Sequence, residues 1–148
     1  MEFTQLTGKE EVNTAFSLYP DDWKEVLLPV WPDYEGTARV YALLQGHRIT
    51  TLGILFYEKA PEMEAFPETT PRYFSEGKPY IGFLYTLPSF RGRGYASLWL
   101  KELRNILPGT SFWLTVEDQG LIPFYEANGF SLEGKSNTKE EWLLRLHS

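Results

Sequence analysis

Cysteine is missing from all 148 residues of the chain, and histidine occurs only as His47 and His147. The first absence excludes disulfides, thiolate metal sites and any covalent step on a cysteine sulfur. The second leaves a zinc site or a Ser-His-Asp triad to rest on two residues far apart in sequence, neither with supporting neighbours, so no metal is implied. Runs of Lys or Arg are lacking too. With a formal net charge of −6 and a pI of about 5.0, the chain offers no basic face to a phosphate backbone, and nucleic acid is not an expected partner. No apolar stretch approaches the ~18 residues of a membrane span. Met1-Glu2-Phe3-Thr4 lacks the basic segment and apolar core of a signal peptide. The expectation is a cytoplasmic protein without a membrane partner.

What is present fits one domain over residues 1–148. Aromatic residues make up 16% of the chain, so flat side chains must supply much of its core and pocket walls. Phe3 to Leu6 reads as a first strand. Lys9 to Tyr19 carries Val12, Ala15, Phe16 and Tyr19 at helical spacing, and Pro20 ends it. Asp21-Asp22 opens a second helix through Val30 and Trp31, with Pro32 as its stop. Thr37 to Gln45 and Ile49 to Tyr57 form a hairpin around a tight turn, in which His47 is a solvated turn residue.

Residues 59 to 79 hold Pro61, Pro67, Pro71 and Pro79, a density that argues against helix and central strand alike. The stretch is expected to be a long connection, a binding loop or a surface excursion. Tyr80 to Leu87 reads as a buried strand. Gly92 to Leu107 reads as an amphipathic helix with Tyr95, Leu98, Trp99, Leu103, Ile106 and Leu107 on one side. Phe112 to Val116 is a strand and Gly120 to Asn128 a short helix. Phe130 to Glu133 and Glu141 to Leu146 are two final strands. The order predicts an α+β fold around one mixed sheet.

Chemistry concentrates in Leu87-Pro88-Ser89-Phe90-Arg91-Gly92-Arg93-Gly94-Tyr95-Ala96. Here a strand runs through a glycine-rich turn into the first turn of a helix. The first N–H groups of a helix lack internal partners and carry partial positive charge. Gly92, Gly94 and Ala96 leave room for a diphosphate to approach them, and Arg91 and Arg93 can add charge. Ser97 stands where a dinucleotide fingerprint wants Gly or Ala, and a P-loop's Gly-Lys-Ser/Thr is missing. One helix and one strand later comes Pro123-Phe124-Tyr125-Glu126-Ala127-Asn128-Gly129-Phe130.

Together the two blocks resemble the GCN5-related N-acetyltransferase (GNAT) family over nearly the whole chain. Arg91-x-x-Gly94-x-Ala96 is similar to its coenzyme A motif, and Phe124-Tyr125-Glu126 with Gly129-Phe130 to the segment that ends in its fourth helix. The resemblance implies a mostly antiparallel mixed sheet of six to seven strands with about four helices. It implies acetyl-CoA as cosubstrate and an amine as acceptor. Backbone groups of Leu84, Tyr85 and Thr86 would then pair with the pantetheine arm, where that strand splays from the next. The N–H groups of Gly92, Arg93, Gly94, Tyr95, Ala96 and Ser97 would hold the pyrophosphate, and Tyr125 would be the general acid.

The chain departs from the family pattern in two places. The segment Glu117-Asp118-Gln119-Gly120-Leu121 lacks the Asn that many relatives carry before the tyrosine. No carboxylate occurs in Tyr80 to Leu87, and the fifth-strand position of a family general base falls on Thr115. Glu117 is the nearest alternative base, and a water chain is another. An acyl-CoA-binding or sensor module of the same fold remains a second reading. A homodimer is compatible with the sequence.

Overall fold

The structure is a computed structural model that describes residues 1–59 and 63–147. Among them one sheet of seven strands runs in the order β1-β2-β3-β4-β5-β7-β6. These are β1 (Glu2–Leu6), β2 (Arg39–Gln45), β3 (Arg48–Phe56), β4 (Tyr80–Thr86), β5 (Phe112–Val116), β6 (Phe130–Lys135) and β7 (Trp142–Leu146). Every pairing is antiparallel except β4 with β5. The α-helices are α1 (Lys9–Phe16), α2 (Asp21–Leu27), α3 (Trp31–Tyr34), α4 (Thr69–Ser75), α5 (Tyr95–Ile106) and α6 (Ile122–Ala127). The α+β expectation therefore holds, with seven strands as read from the sequence and six helices rather than about four.

The two extra helices share one cause. Proline lacks an N–H, but the first turn of a helix does not need one. Pro32 therefore sits at the start of α3 instead of stopping a helix, and α2 ends earlier, at Leu27. Pro71 likewise falls in the first turn of α4, inside the stretch expected to be irregular. The ring of Tyr73 meets Trp113 at 5.3 Å and that of Phe74 at 5.5 Å. α4 thus packs on one face of the sheet and joins the core there. Pro61 lies outside the described residues.

The other face is covered by α5. Trp99 is buried and its indole N–H donates to the Tyr41 carbonyl at 3.0 Å, pinning the helix across β2. Leu100 and Leu103 are buried beside it, whereas Ile106, expected on the same side, is exposed. α5 begins at Tyr95 because the preceding residues form a short 3₁₀ turn (Pro88–Phe90) and a pair of left-handed glycines. α1 ends at Phe16, short of Tyr19, and the helix read from Gly120 divides into a 3₁₀ turn (Gln119–Leu121) and α6.

At Gly53 the Trp99 ring of α5 lies directly on the backbone of β3, where a Cβ would clash with it. Gly53→Ala is expected to cost about 1–3 kcal/mol, the usual penalty for overpacking a rigid core. For a domain of this size each kcal/mol lowers the melting temperature by about 2–4 °C, so a thermal melt checks it.

Candidate functional site

The site begins with a mismatch between β3 and β4. Leu52 pairs with Tyr85 but Ile54 pairs with Gly82, so two steps on β3 face three on β4. The extra residue bulges the strand, and Phe83 takes a left-handed conformation at φ 55°. That is costly for a bulky side chain, about 1–3 kcal/mol, and persists only where neighbours hold it. The main restraint is Tyr19, whose buried hydroxyl donates to the Phe83 carbonyl at 2.7 Å. Burial raises the Tyr19 pKa well above its ordinary value, so the donor keeps its proton. The rings of Trp23 and Phe83 pack together around it, 6.0 Å apart. Tyr19→Phe leaves that carbonyl without its partner and is expected to cost about 1 kcal/mol in urea denaturation.

On its other edge β4 parts from β5 near its start, ahead of the bulge. Among the described residues the two parallel strands are in register only at Tyr80 and Trp113. Leu84, Tyr85 and Thr86 therefore pair with β3 alone, or not at all, and leave the β5-side edge open. Between the strands lies a cavity of about 440 Å³. Its walls include Leu84 from β4, Thr115 and Glu117 from the end of β5, Tyr125 from α6, and Trp23 from α2. A larger cavity of about 630 Å³, beside α1 and lined by residues that include Lys9, Trp31, Arg39 and Tyr57, contains none of the candidate catalytic or cosubstrate-binding residues.

At one end of the opening is the glycine-rich turn. Gly92 (φ 76°) and Gly94 (φ 78°) are both left-handed, and a Cβ on either would meet nothing within 4 Å. Glycine is required here by backbone conformation rather than by crowding. Among the described residues no protein acceptor takes a hydrogen bond from the N–H groups of Gly92 through Ser97. The first α5 bond runs from Leu98 N–H to the Gly94 carbonyl at 3.0 Å. Successive unpaired N–H groups at a helix start form a concave anion receptor, which fits a diphosphate. The two arginines do different things. Arg91 Nε donates to the Thr86 carbonyl at 3.0 Å and its guanidinium lies 5.3 Å from the Tyr85 ring centre, bracing the turn against β4. Arg93 lies over the Phe90 ring at 5.8 Å.

Tyr125 is buried between Phe124 and Phe130, with both rings edge-on at 5.0 and 5.5 Å. Among the described residues its hydroxyl makes no hydrogen bond to the protein, and burial pushes its pKa up to about 12. Glu117 is exposed at the mouth of the same cavity. The structure thus brings together Leu84, Tyr125 and Glu117 around one cavity. No described residue of 63–79 lines it.

One residue in this cavity was not singled out from the sequence. Glu141 is 7% exposed and stands one step before Trp142, which pairs with Val116; it therefore lies across from Glu117, one step beyond Val116. Burial, and next the negative charge of Glu117, hold its carboxyl above the usual carboxylate range, while the Thr115 hydroxyl and Lys139 pull it back. Its sequence signal is a charged residue at the first position of a strand that continues Trp-Leu-Leu-Arg-Leu.

A family model for the acetyltransferase (GNAT) family matches residues 10–130. The chain belongs to the GNAT acetyltransferase family. Three solved structures share the fold across nearly their whole length. The Escherichia coli ribosomal-protein-S18-alanine N-acetyltransferase superposes with a TM-score of 0.67 at 13% identity, covering 99% of this chain and 92% of its own. PaiA N-acetyltransferase from Thermoplasma acidophilum, solved with coenzyme A, gives 0.65 at 13% identity and covers 100% of both chains. A GNAT family acetyltransferase from Elizabethkingia anophelis with acetyl-CoA bound gives 0.62 at 13% identity, covering 99% and 97%. No curated protein matches this chain in sequence. No described helix of this GNAT chain is long and apolar enough to cross a membrane, and its described residues hold no cluster of metal-ligating side chains.

Proposed function

We propose that this chain transfers an acetyl group from acetyl-CoA directly to an amine acceptor. The observation that carries the reading is the parting of β4 from β5, which opens a cavity onto the neutral hydroxyl of the largely buried Tyr125. Three structural relatives hold coenzyme A or acetyl-CoA, and the family is one of acetyltransferases, which supports the choice of cosubstrate.

The open edge of Leu84, Tyr85 and Thr86 would bind the pantetheine amides, as an added strand binds a sheet edge. The N–H groups of Gly92 through Ser97 would hold the pyrophosphate, with Arg93 adding charge and Arg91 keeping the turn in place. Acetyl-CoA supplies a thioester whose carbonyl carbon is open to attack by an amine. Tyr125 donates a hydrogen bond to sulfur as the C–S bond breaks, and Glu117 at the cavity mouth receives the acceptor's proton. With no cysteine available to carry an acyl group, transfer is direct.

The exposure of Glu117, a weak placement for a base, favours a second reading in which the fold binds acyl-CoA and catalyses little. A panel of alkylamines, amino acids and peptides incubated with acetyl-CoA, read by thiol release, tests the proposal. Turnover of at least one amine is expected. Tight acetyl-CoA binding without turnover of any would give the second reading the lead.

A further inference from the structure

We propose that Glu141, rather than Glu117 alone, is the carboxylate that takes the proton from a cationic amine acceptor. The inference rests on the N-acetyltransferase reading and adds to it a base and an acceptor class. Three observations carry it. First, Glu141 lines the same cavity as Tyr125 and Leu84, so it faces the place where the acceptor nitrogen must arrive. Second, it is 7% exposed whereas Glu117 is exposed, so its charge acts through protein rather than water. Third, the acidic residues of the cavity wall are Asp22, Glu117, Asp118 and Glu141, with no Lys or Arg among the described lining residues. An alkylammonium ion is attracted there, with the apolar faces of Trp23 and Phe83 beside it to receive its carbon chain.

The groups facing Glu141 account for its behaviour. Glu117 stands across from it at the end of β5, and Thr115 precedes Glu117 by two residues, sharing a hydrogen bond of 3.0 Å with the Tyr80 hydroxyl on β4. Lys139, in the loop before β7, is the facing cation. Burial and Glu117 raise the Glu141 pKa against Thr115 and Lys139, which makes it a stronger base than an ordinary carboxylate.

In the transfer, one N–H bond of the ammonium breaks and its proton passes to a Glu141 oxygen. The freed lone pair forms the C–N bond, and the C–S bond breaks with its electron pair going to sulfur, where the Tyr125 hydroxyl donates a hydrogen bond to the developing charge. A second proton leaves nitrogen and reaches sulfur through solvent, and Glu141 gives its proton to solvent. One proton is released overall, and nothing is oxidised or reduced.

The test uses the full chain, with E141Q and E117Q beside wild type. Acceptors are an alkylamine active in the panel and its fluorinated analogue, which is largely neutral near pH 7. For E141Q we expect a loss of about 100-fold in kcat/KM with the alkylamine near neutrality. That loss should shrink as pH rises toward the amine's own pKa, and with the fluorinated analogue. The melting temperature and the acetyl-CoA affinity of E141Q should stay near wild type. A carbon-13 NMR titration of the unliganded chain should place the Glu141 carboxyl above the ordinary range in wild type and lower in E117Q. An equal loss on both acceptors at every pH, no loss, or an ordinary Glu141 titration would overturn the role of Glu141 and leave the N-acetyltransferase reading intact. Failure of wild type to turn over any amine would overturn both.

Discussion

Gly94→Glu is expected to abolish the rise in melting temperature that acetyl-CoA gives the wild-type chain. A ligand bound only by the folded state at a hundred times its Kd stabilises by about 2.7 kcal/mol, or about 5–10 °C for a domain of this length. Gly94 caps α5 at φ 78° with open space around it, at the centre of the unpaired N–H groups. A glutamate there adds a negative charge where the diphosphate would sit and competes for the same donors. It also forces an L residue into the left-handed region, at about 1–2 kcal/mol. Gly94→Ala separates the two effects, because it carries the strain without the charge. The alanine variant should melt lower than wild type yet still respond to acetyl-CoA, while the glutamate variant should not respond. An unchanged response in Gly94→Glu would remove the glycine turn from the cosubstrate site.

Tyr125→Phe is expected to lower kcat by about 100-fold and to leave the acetyl-CoA affinity near wild type. The ring contacts with Phe124 and Phe130 survive the change, and the hydroxyl has no hydrogen bond to the protein to lose, among the described residues. General acid catalysis contributes ~10²–10⁴-fold, and a thiolate is already a fair leaving group, which points to the lower end. A thiol titrates near ~8.5 and an ordinary phenol near ~10, but Tyr125 is held up at about 12 by burial. Full proton transfer to sulfur is therefore uphill, and the contribution is a hydrogen bond that strengthens as charge develops there. The same value predicts no Tyr125 inflection in a pH–rate profile between about pH 5 and 10. Because the folded-state pKa lies above the unfolded one, the stability tied to the neutral phenol is complete below pH ~10. It is lost as pH climbs through about 12, a loss that Tyr125→Phe removes. Normal turnover in the phenylalanine variant would take Tyr125 out of the mechanism.

Local chemistry was legible in the sequence because its causes are local. The glycine turn needs two left-handed residues before a helix, and a one-dimensional pattern records both. The strands from Arg39 to Gln45 and from Phe112 to Val116 announce themselves by β-branched, aromatic and aliphatic side chains. Other features depend on contacts distant in sequence. The bulge at Phe83 is held by Tyr19, 64 residues earlier, and no local pattern marks it. Pro71 was read as a helix breaker because its place within a turn was unknown. Glu141 sits at a strand start like any solvated acid, and its burial follows from the pairing of β7 with β5. Glu117, chosen for its nearness in sequence to the fifth strand, shares the cavity but is the more exposed of the two. The acceptor end of the site is therefore written mostly in tertiary contacts.

The most direct measurement follows the acetyl group itself. Acetyl-CoA labelled with carbon-13 at the carbonyl is incubated with the chain and the best amine of the panel, and the products are resolved by NMR. The account predicts one labelled acetamide for each CoA thiol released, with both formed about 100-fold more slowly when Tyr125→Phe replaces wild type. Thiol release accompanied by labelled acetate instead of acetamide, or labelled acetyl-CoA that binds and stays intact, would contradict it.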